Sequence, residues 1–538
     1  MSARQLLFCA AISLFACSCA TLRSRAPTGT SPAGQFQATI SRIQQSEPGS
    51  PALLNARLSY AGFLLSSAQG PACQDRLNRA QEEIGSVAAN PETRVMFPAG
   101  WPLVAELEYR QHLARAACGG AADSRDELLA AVDAARRAVG LYRGVFDYHS
   151  MVIMQFNTAI ALHRLGDEAA ALAALETALQ MDRDYGFEDD ARDNYELLLS
   201  WRGDPAAAAQ VAGLMRDFPR RRVTFKFGWG PSVAWITLDR RRAMLSDGLV
   251  VRSRTKAVFQ RRIAADPSGG WKVSYSQRLG GYEPGVWPDE QVWQATPGSH
   301  MPQLVFPPAS LPALDFKVSA KGDFAGVTDS KAFATRLTAR TDRLIRARTP
   351  SGTEGYDAAE DAIETTATAF SPGMLEAGAT QGYQLETAMW IGATLEQGVW
   401  YEMSAPLSLP RLARFVVPQQ IEFAFTRMLP CTAGAPADSC VEVVIHATPD
   451  ATALNNLLAD LGKSFPNDRF LDYMATTDAR IVLDPATLVS YAREEQIYWY
   501  AALSKRAGET VLASDHLVST TKYAAAVPPG VLDPTSAR

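Results

Sequence analysis

The sequence predicts an α+β protein of several domains, with helical hairpins in the N-terminal part and antiparallel, strand-rich α+β units after them. Three observations predict it. The stretch Val152–Asp182 carries apolar residues at helical spacing on either side of a Gly166-Asp167 break. At Arg220 the texture changes to period-two alternation, beginning with Val223–Phe227. And 538 residues are too many for one core, so the chain divides into about three domains. The βαβα alternation of a doubly wound sheet is missing, which leaves antiparallel pairing.

Residues 1–20 start with one cation, Arg4, and continue LLFCAAISLFACSCA. A positive start, an apolar run and small residues before a cysteine make a secretory signal, too short to span a bilayer. Leu14-Phe15-Ala16-Cys17 resembles the processing box of bacterial lipoproteins. The resemblance implies a diacylglycerol on Cys17, with Cys19 as the alternative acceptor, and attachment to the cell envelope. Ser18 after the cysteine implies the outer membrane, with the folded body facing the periplasm. Residues 21–36 are small, polar and proline-containing, which predicts a flexible tether.

Residues 37–218 read as helices in pairs: Leu53–Leu65 with Arg76–Val87, Leu103–Ala116 with Glu127–Tyr142, and the pair around Gly166. Asp189–Trp201 and Ala206–Asp217 continue the alternation. Small residues stand where two helices must approach closely, and glycine leaves a helix through a left-handed conformation without steric cost. Asn157, Ala159, Gly166, Asp167, Ala171, Leu175, Ala178 and Asp182 resemble a tetratricopeptide (TPR) repeat. The pattern's usual aromatic after the first alanine and its closing proline are absent, and the flanking pairs match it less well. The resemblance implies a short stack of hairpins that acts as a protein-interaction surface.

The strand-rich part divides into 219–315 and 316–528, with 529–538 as a tail. In the first unit, strands are expected at Val223–Phe227, Leu249–Ile263 and Trp271–Ser276; the proline-rich run Pro284–Pro312 reads as a long connection or an arm packed across another domain. In the second, Lys331–Arg348 is helical and a strand-rich region begins at Tyr383. A helix over Ala451–Phe465 and strands through ARIVLD, EQIYWYAAL and ETVLASDHLVSTT follow. A curved sheet over a helix can enclose an apolar ligand, and Tyr498-Trp499-Tyr500 is the stretch best placed to line such a cavity. Alternation lets only part of that run face it.

Cys9, Cys17 and Cys19 belong to the signal, leaving Cys73, Cys118, Cys431 and Cys440. Cys431 and Cys440 bracket a small-residue loop between two strands, and Cys73 and Cys118 both sit at inter-helix turns. Outside the cytosol these make two structural disulfides, Cys431–Cys440 and Cys73–Cys118.

The composition, 47% hydrophobic and 20% charged with a net charge of −5, gives no basic excess for nucleic acid. No GxSxG, HExxH, phosphate-loop or dinucleotide fingerprint occurs. Gly228–Ser232 reads as a loop, and Ser253 and Lys256 face opposite sides of a strand. The six histidines never stand at metal-ligand spacing; His446, in VEVVIHAT, is the one that pleating could aim at a ligand. Glu188-Asp189-Asp190 with Asp193 reads as a solvated helix start. Arg220–Arg222 reads as a domain junction and Arg240–Arg242 as a guarded strand edge. The sequence therefore names no catalytic residue, metal ligand or cofactor. It points to a non-enzymatic, lipid-anchored envelope protein with a protein partner on the helical domain. The alternative is a periplasmic carrier or sensor for an apolar ligand in the C-terminal unit.

Overall fold

The computed structural model describes residues 31–47, 49–118, 124–204, 206–246, 249–277, 314–335, 338–339, 342, 371–409, 415–464, 468–505 and 510–526. The N-terminal part is a run of antiparallel helices: α1 (Pro32–Ser46), α2 (Pro51–Ser66), α3 (Cys73–Ala89), the short α4 (Pro91–Met96), α5 (Pro102–Cys118), α6 (Ser124–Gly144), α7 (Tyr148–Leu165), α8 (Glu168–Tyr185), α9 (Glu188–Arg202) and α10 (Ala207–Arg216). Their ends follow from local chemistry. Ser31, Ser50, Asn90, Asp147 and Asp167 each accept a hydrogen bond from an N–H of the first turn, and Pro32, Pro51 and Pro91 occupy first helical positions. Gly166, Gly186 and Gly203 leave α7, α8 and α9 at φ +82°, +80° and +67°.

After the helices come β1 (Arg222–Thr224), β2 (Ser232–Ser246), β3 (Leu249–Ala265), β4 (Trp271–Gln277), β5 (Phe316–Val318), β6 (Phe324–Val327), α11 (Pro372–Glu386), β7 (Thr394–Glu396), β8 (Trp400–Ser408), β9 (Val416–Leu429), β10 (Cys440–Pro449), α12 (Ala451–Ser464), β11 (Asp468–Leu483), β12 (Ser490–Lys505) and β13 (Thr510–Ala524). Among the described residues β1 and β7 form a small ribbon. The other strands form one antiparallel sheet of eleven, in the order β6-β5-β4-β3-β2-β13-β12-β11-β10-β9-β8.

The α+β class and the helical N-terminal region agree with the sequence expectation, and four details differ. The division at 315/316 falls inside one sheet, because β4 pairs with β5 and β2 pairs with β13. The tether expected to end at residue 36 gives way to α1 at Pro32, since Ser31 caps a helix whose first residue is proline. Tyr383 closes α11 instead of opening a strand region. Arg240–Arg242 lie in an interior strand, with β3 on one side and β13 on the other, so they guard no edge. Of the helix expected over Lys331–Arg348, residues 331–335 are helical, and most of the rest lies outside the described residues. Cys17, Cys19 and the whole of the proline-rich run 284–312 also lie outside them.

Both expected disulfides are present: Cys73–Cys118 ties α3 to α5, and Cys431–Cys440 closes the β9–β10 loop. The sheet buries apolar residues on both faces. Along β12, Tyr498, Tyr500 and Ala502 pack with Leu54, Leu58 and Val95 of the helices. Trp499 and Ala501 face the other way, toward Leu454, Leu457 and Leu458 of α12. The aromatic run offered as a cavity wall is thus split between two packed layers, as strand alternation requires.

Candidate functional site at the seam between helices and sheet

Successive antiparallel helices place every second turn at the same end of the layer. The turns at 49–50, 90–101, 145–147 and 186–187 form one such set, and all four reach the sheet. Gly49 lies over Leu512 of β13. Gln496 of β12 donates to the Gly144 carbonyl beside the third turn. At the fourth, Gln397 Nε2 donates to the Asp184 carbonyl at 2.5 Å and the Thr426 carbonyl at 3.0 Å. A side chain at Gly398 (φ +75°) would meet the Gly186 carbonyl oxygen at 2.8 Å, so glycine is what allows this approach. The layer stands end-on on the sheet, and the opposite turns, 166–167 and 203–204 among them, lie at its far end.

The second turn builds a buried polar cluster. Helix α4 inserts Glu92, which is 2% exposed. Tyr498 Oη donates to Glu92 Oε1 and Ser514 Oγ to Oε2, both at 2.6 Å. Burial raises the Glu92 carboxyl above its ordinary range, against these two hydrogen bonds. His516 Nδ1 lies 3.2 Å from the Val95 carbonyl, and burial lowers its pKa, so it donates as the neutral imidazole. A serine, a histidine and a carboxylate meet here, yet Ser514 gives its proton to Glu92 and not to the imidazole. Tyr498, Ser514 and His516 are 4%, 2% and 5% exposed. With its hydrogen bonds directed inward and no group presented to solvent, the set joins two layers and offers no nucleophile to a substrate.

Glu442 forms the second cluster. It sits among the valines of β10, is fully buried, and accepts from Arg480 Nε at 2.6 Å, Arg427 Nη2 at 3.2 Å and Thr426 Oγ1 at 3.0 Å. Burial alone would raise its pKa, but the two guanidinium groups hold it below the ordinary carboxylate range. The Arg427 guanidinium lies over the Tyr185 ring at 5.2 Å, and Tyr185 stacks on Tyr148. The pair therefore ties β9, β10 and β11 to α7 and α8.

Within the helical layer, Ala159, Ala171, Leu175 and Ala178 are completely buried where α7 meets α8, and Asn157 accepts at its carbonyl from Tyr109 Oη at 3.3 Å. Asp182, also completely buried, accepts from Asn194 Nδ2 at 2.6 Å, while its Oδ1 has no partner. Burial pushes its carboxyl up to about 8. A folded-state pKa above the unfolded value means the proton stabilises the fold at low pH, and that stabilisation is lost as pH rises from about 4 to about 8. Thermal unfolding followed by circular dichroism should show stability falling by at least about 1 kcal/mol between pH 5 and pH 8. In Asp182→Asn that fall should shrink, because no charge develops in the core.

The remaining candidates separate. Arg220 makes a two-pronged bond to Glu188, and Asp190 bonds His149, so the acidic helix start is spent on partners in the chain. Arg242 holds Asp515 of the adjacent strand. His446 Nδ1 pairs with Asp478 at 2.6 Å, which holds its pKa above the ordinary value although burial works against it, and the Trp400 ring stacks on the imidazole. Among the described residues no group of three or more histidine, cysteine or acidic side chains is arranged to hold a metal ion, and no helix is long and apolar enough to cross a membrane. Glu92 and Glu442 are absent from the sequence reading. The signal for Glu442 was a lone acid inside the valine-rich strand VEVVIHAT. No family model, curated protein or solved structure matches the chain.

Proposed function

We propose that the chain is a lipid-anchored cell-envelope protein that acts, without catalysis, as a protein-interaction scaffold through its TPR-like helical layer. The observation that carries this reading is the end-on seating of the layer: the sheet takes up one set of turns, so the flanks of the hairpins are left for another protein. Leu129 on α6 is 43% exposed, and it is the apolar side chain at which that flank is tested. The apolar-ligand alternative has less support, because the aromatic run that would line its cavity is packed between layers. In this reading the anchor is the lipid on Cys17, with Cys19 as the alternative acceptor.

Cells grown with a clickable palmitate analogue test the anchor. The chain should be labelled, Cys17→Ser should abolish the label, and a label lost only in Cys19→Ser would move the attachment to Cys19. An unlabelled wild-type chain would refute the anchor. Native mass spectrometry of protein extracted from envelopes tests the scaffold. A stoichiometric protein partner lost in Leu129→Asp supports it, whereas a bound lipid-sized mass with no protein partner would favour the carrier.

A further inference from the structure

The eleven-stranded sheet ends at β8, and that edge is unlike the rest. Ser408 N, at its far end, points away from β9 and donates to Gln381 Oε1 of α11 at 3.2 Å. In an antiparallel ladder the outward-directed residues alternate, so Pro406, Ser404, Glu402 and Trp400 also turn their backbone groups away from β9. Proline at 406 fits this parity, since an edge strand tolerates proline where its missing N–H would face outward. Among the described residues no backbone group pairs with Trp400, Glu402 or Ser404 on that side. The side chains of these four residues are exposed, Trp400 to 46%, while those between them pack inward, with Ala405 and Leu407 buried.

The charges along this edge are unbalanced. Glu402 stands directly opposite Glu422, Glu422 opposite His446, and His446 opposite Asp478. His446 is engaged with Asp478. Glu402 and Glu422 face each other across the ladder, and like charges in that position repel. Neither makes a hydrogen bond or ion pair among the described residues, although Glu422 adds to the field that holds His446 above its ordinary pKa, which leaves Glu402 as the carboxylate with no cation opposite it. A native sheet commonly blunts an open edge with charge, lysine above all, or with proline, and Pro406 does so at one end of β8. The stretch from Trp400 to Ser404 carries an exposed tryptophan and facing carboxylates and no lysine.

We propose that the free edge of β8 takes up an extended basic segment of a partner protein as a twelfth strand, with an arginine or lysine of that segment beside Glu402. Main-chain hydrogen bonds to Trp400, Glu402 and Ser404 supply the register, and the cation offsets the Glu402–Glu422 repulsion while Trp400 covers it. This surface lies on the sheet, so it stands or falls apart from the helical layer.

The test uses the mature protein and a fluorescein-labelled, end-blocked heptapeptide alternating valine with arginine, followed by anisotropy. The peptide should bind. Glu402→Lys should weaken it about tenfold, as expected from replacing an attractive cross-strand pair by a repulsive one. Ser404→Pro should abolish binding by removing an outward N–H while keeping the wild-type melting temperature, and Glu402→Lys, which faces Glu422, should melt no lower than the wild type. If Ser404→Pro unfolds, Glu402→Lys alone decides. Equal binding by a scrambled peptide of the same composition would reduce the effect to bulk charge and overturn the proposal. So would unchanged binding in the variants, or a wild-type dimer that Ser404→Pro dissociates, which would give the edge to a second copy of the chain.

Discussion

Replacing Glu442 by alanine is expected to destabilise the protein by about 1–3 kcal/mol, because the half-buried Arg427 and Arg480 then lose the carboxylate they share. Urea unfolding at pH 7 measures it. Arg427 Nε already lacks a hydrogen-bond partner, so the site has no spare acceptor to take over. Acid should reproduce part of the loss in the wild type. A carboxyl held below its ordinary range contributes stability above the unfolded pKa of about 4.5 and loses it as pH falls through the folded value. The Glu442→Ala variant should lack that part of the acid response. A loss under about 1 kcal/mol would mean that water replaces the carboxylate at both arginines and that Glu442 does not hold the seam.

The second large effect belongs to Cys73–Cys118. The bridge closes a loop with a sequence separation of 45 residues, and removing it through Cys73→Ala/Cys118→Ala should cost about 2–4 kcal/mol. It ties α3 to α5, away from the seam, so the loss should fall on the helical layer. The Cys431–Cys440 bridge closes a separation of only 9; its removal should cost less, since the entropy removed from the unfolded chain grows with loop length. If the short bridge proved the costlier, the loop would be what holds β9 against β10.

Local chemistry explains what could be read in advance. The helix pairs follow from 3.6-residue spacing, glycine exits and capping side chains. The hairpin disulfide follows from two strands around a small-residue loop, and the division of Tyr498 and Tyr500 from Trp499 follows from pleating. Helix α1 escaped because Ser31, Pro32 and Gly34 have the composition of a linker, although serine followed by proline is also a helix start. The continuity of the sheet escaped for a deeper reason. Strand β2 pairs with β13, whose residues are separated from it by most of the C-terminal half, and no local period encodes which strands meet. The arginines of β2 looked like an edge because such charges usually are; Asp515 on the neighbouring strand answers Arg242. The seam clusters were invisible for the same reason, since Glu92 finds Tyr498 and Ser514 only once helix and sheet are assembled.

Hydrogen–deuterium exchange of the mature protein tests the central claim, that the helical layer stands on the sheet by one set of its turns. Amides at 92–96, 145–147 and 186–187 should exchange as slowly as the interior of β12, while those at 166–167 and 203–204 exchange quickly. Equal, fast exchange at both ends of the layer would contradict the account.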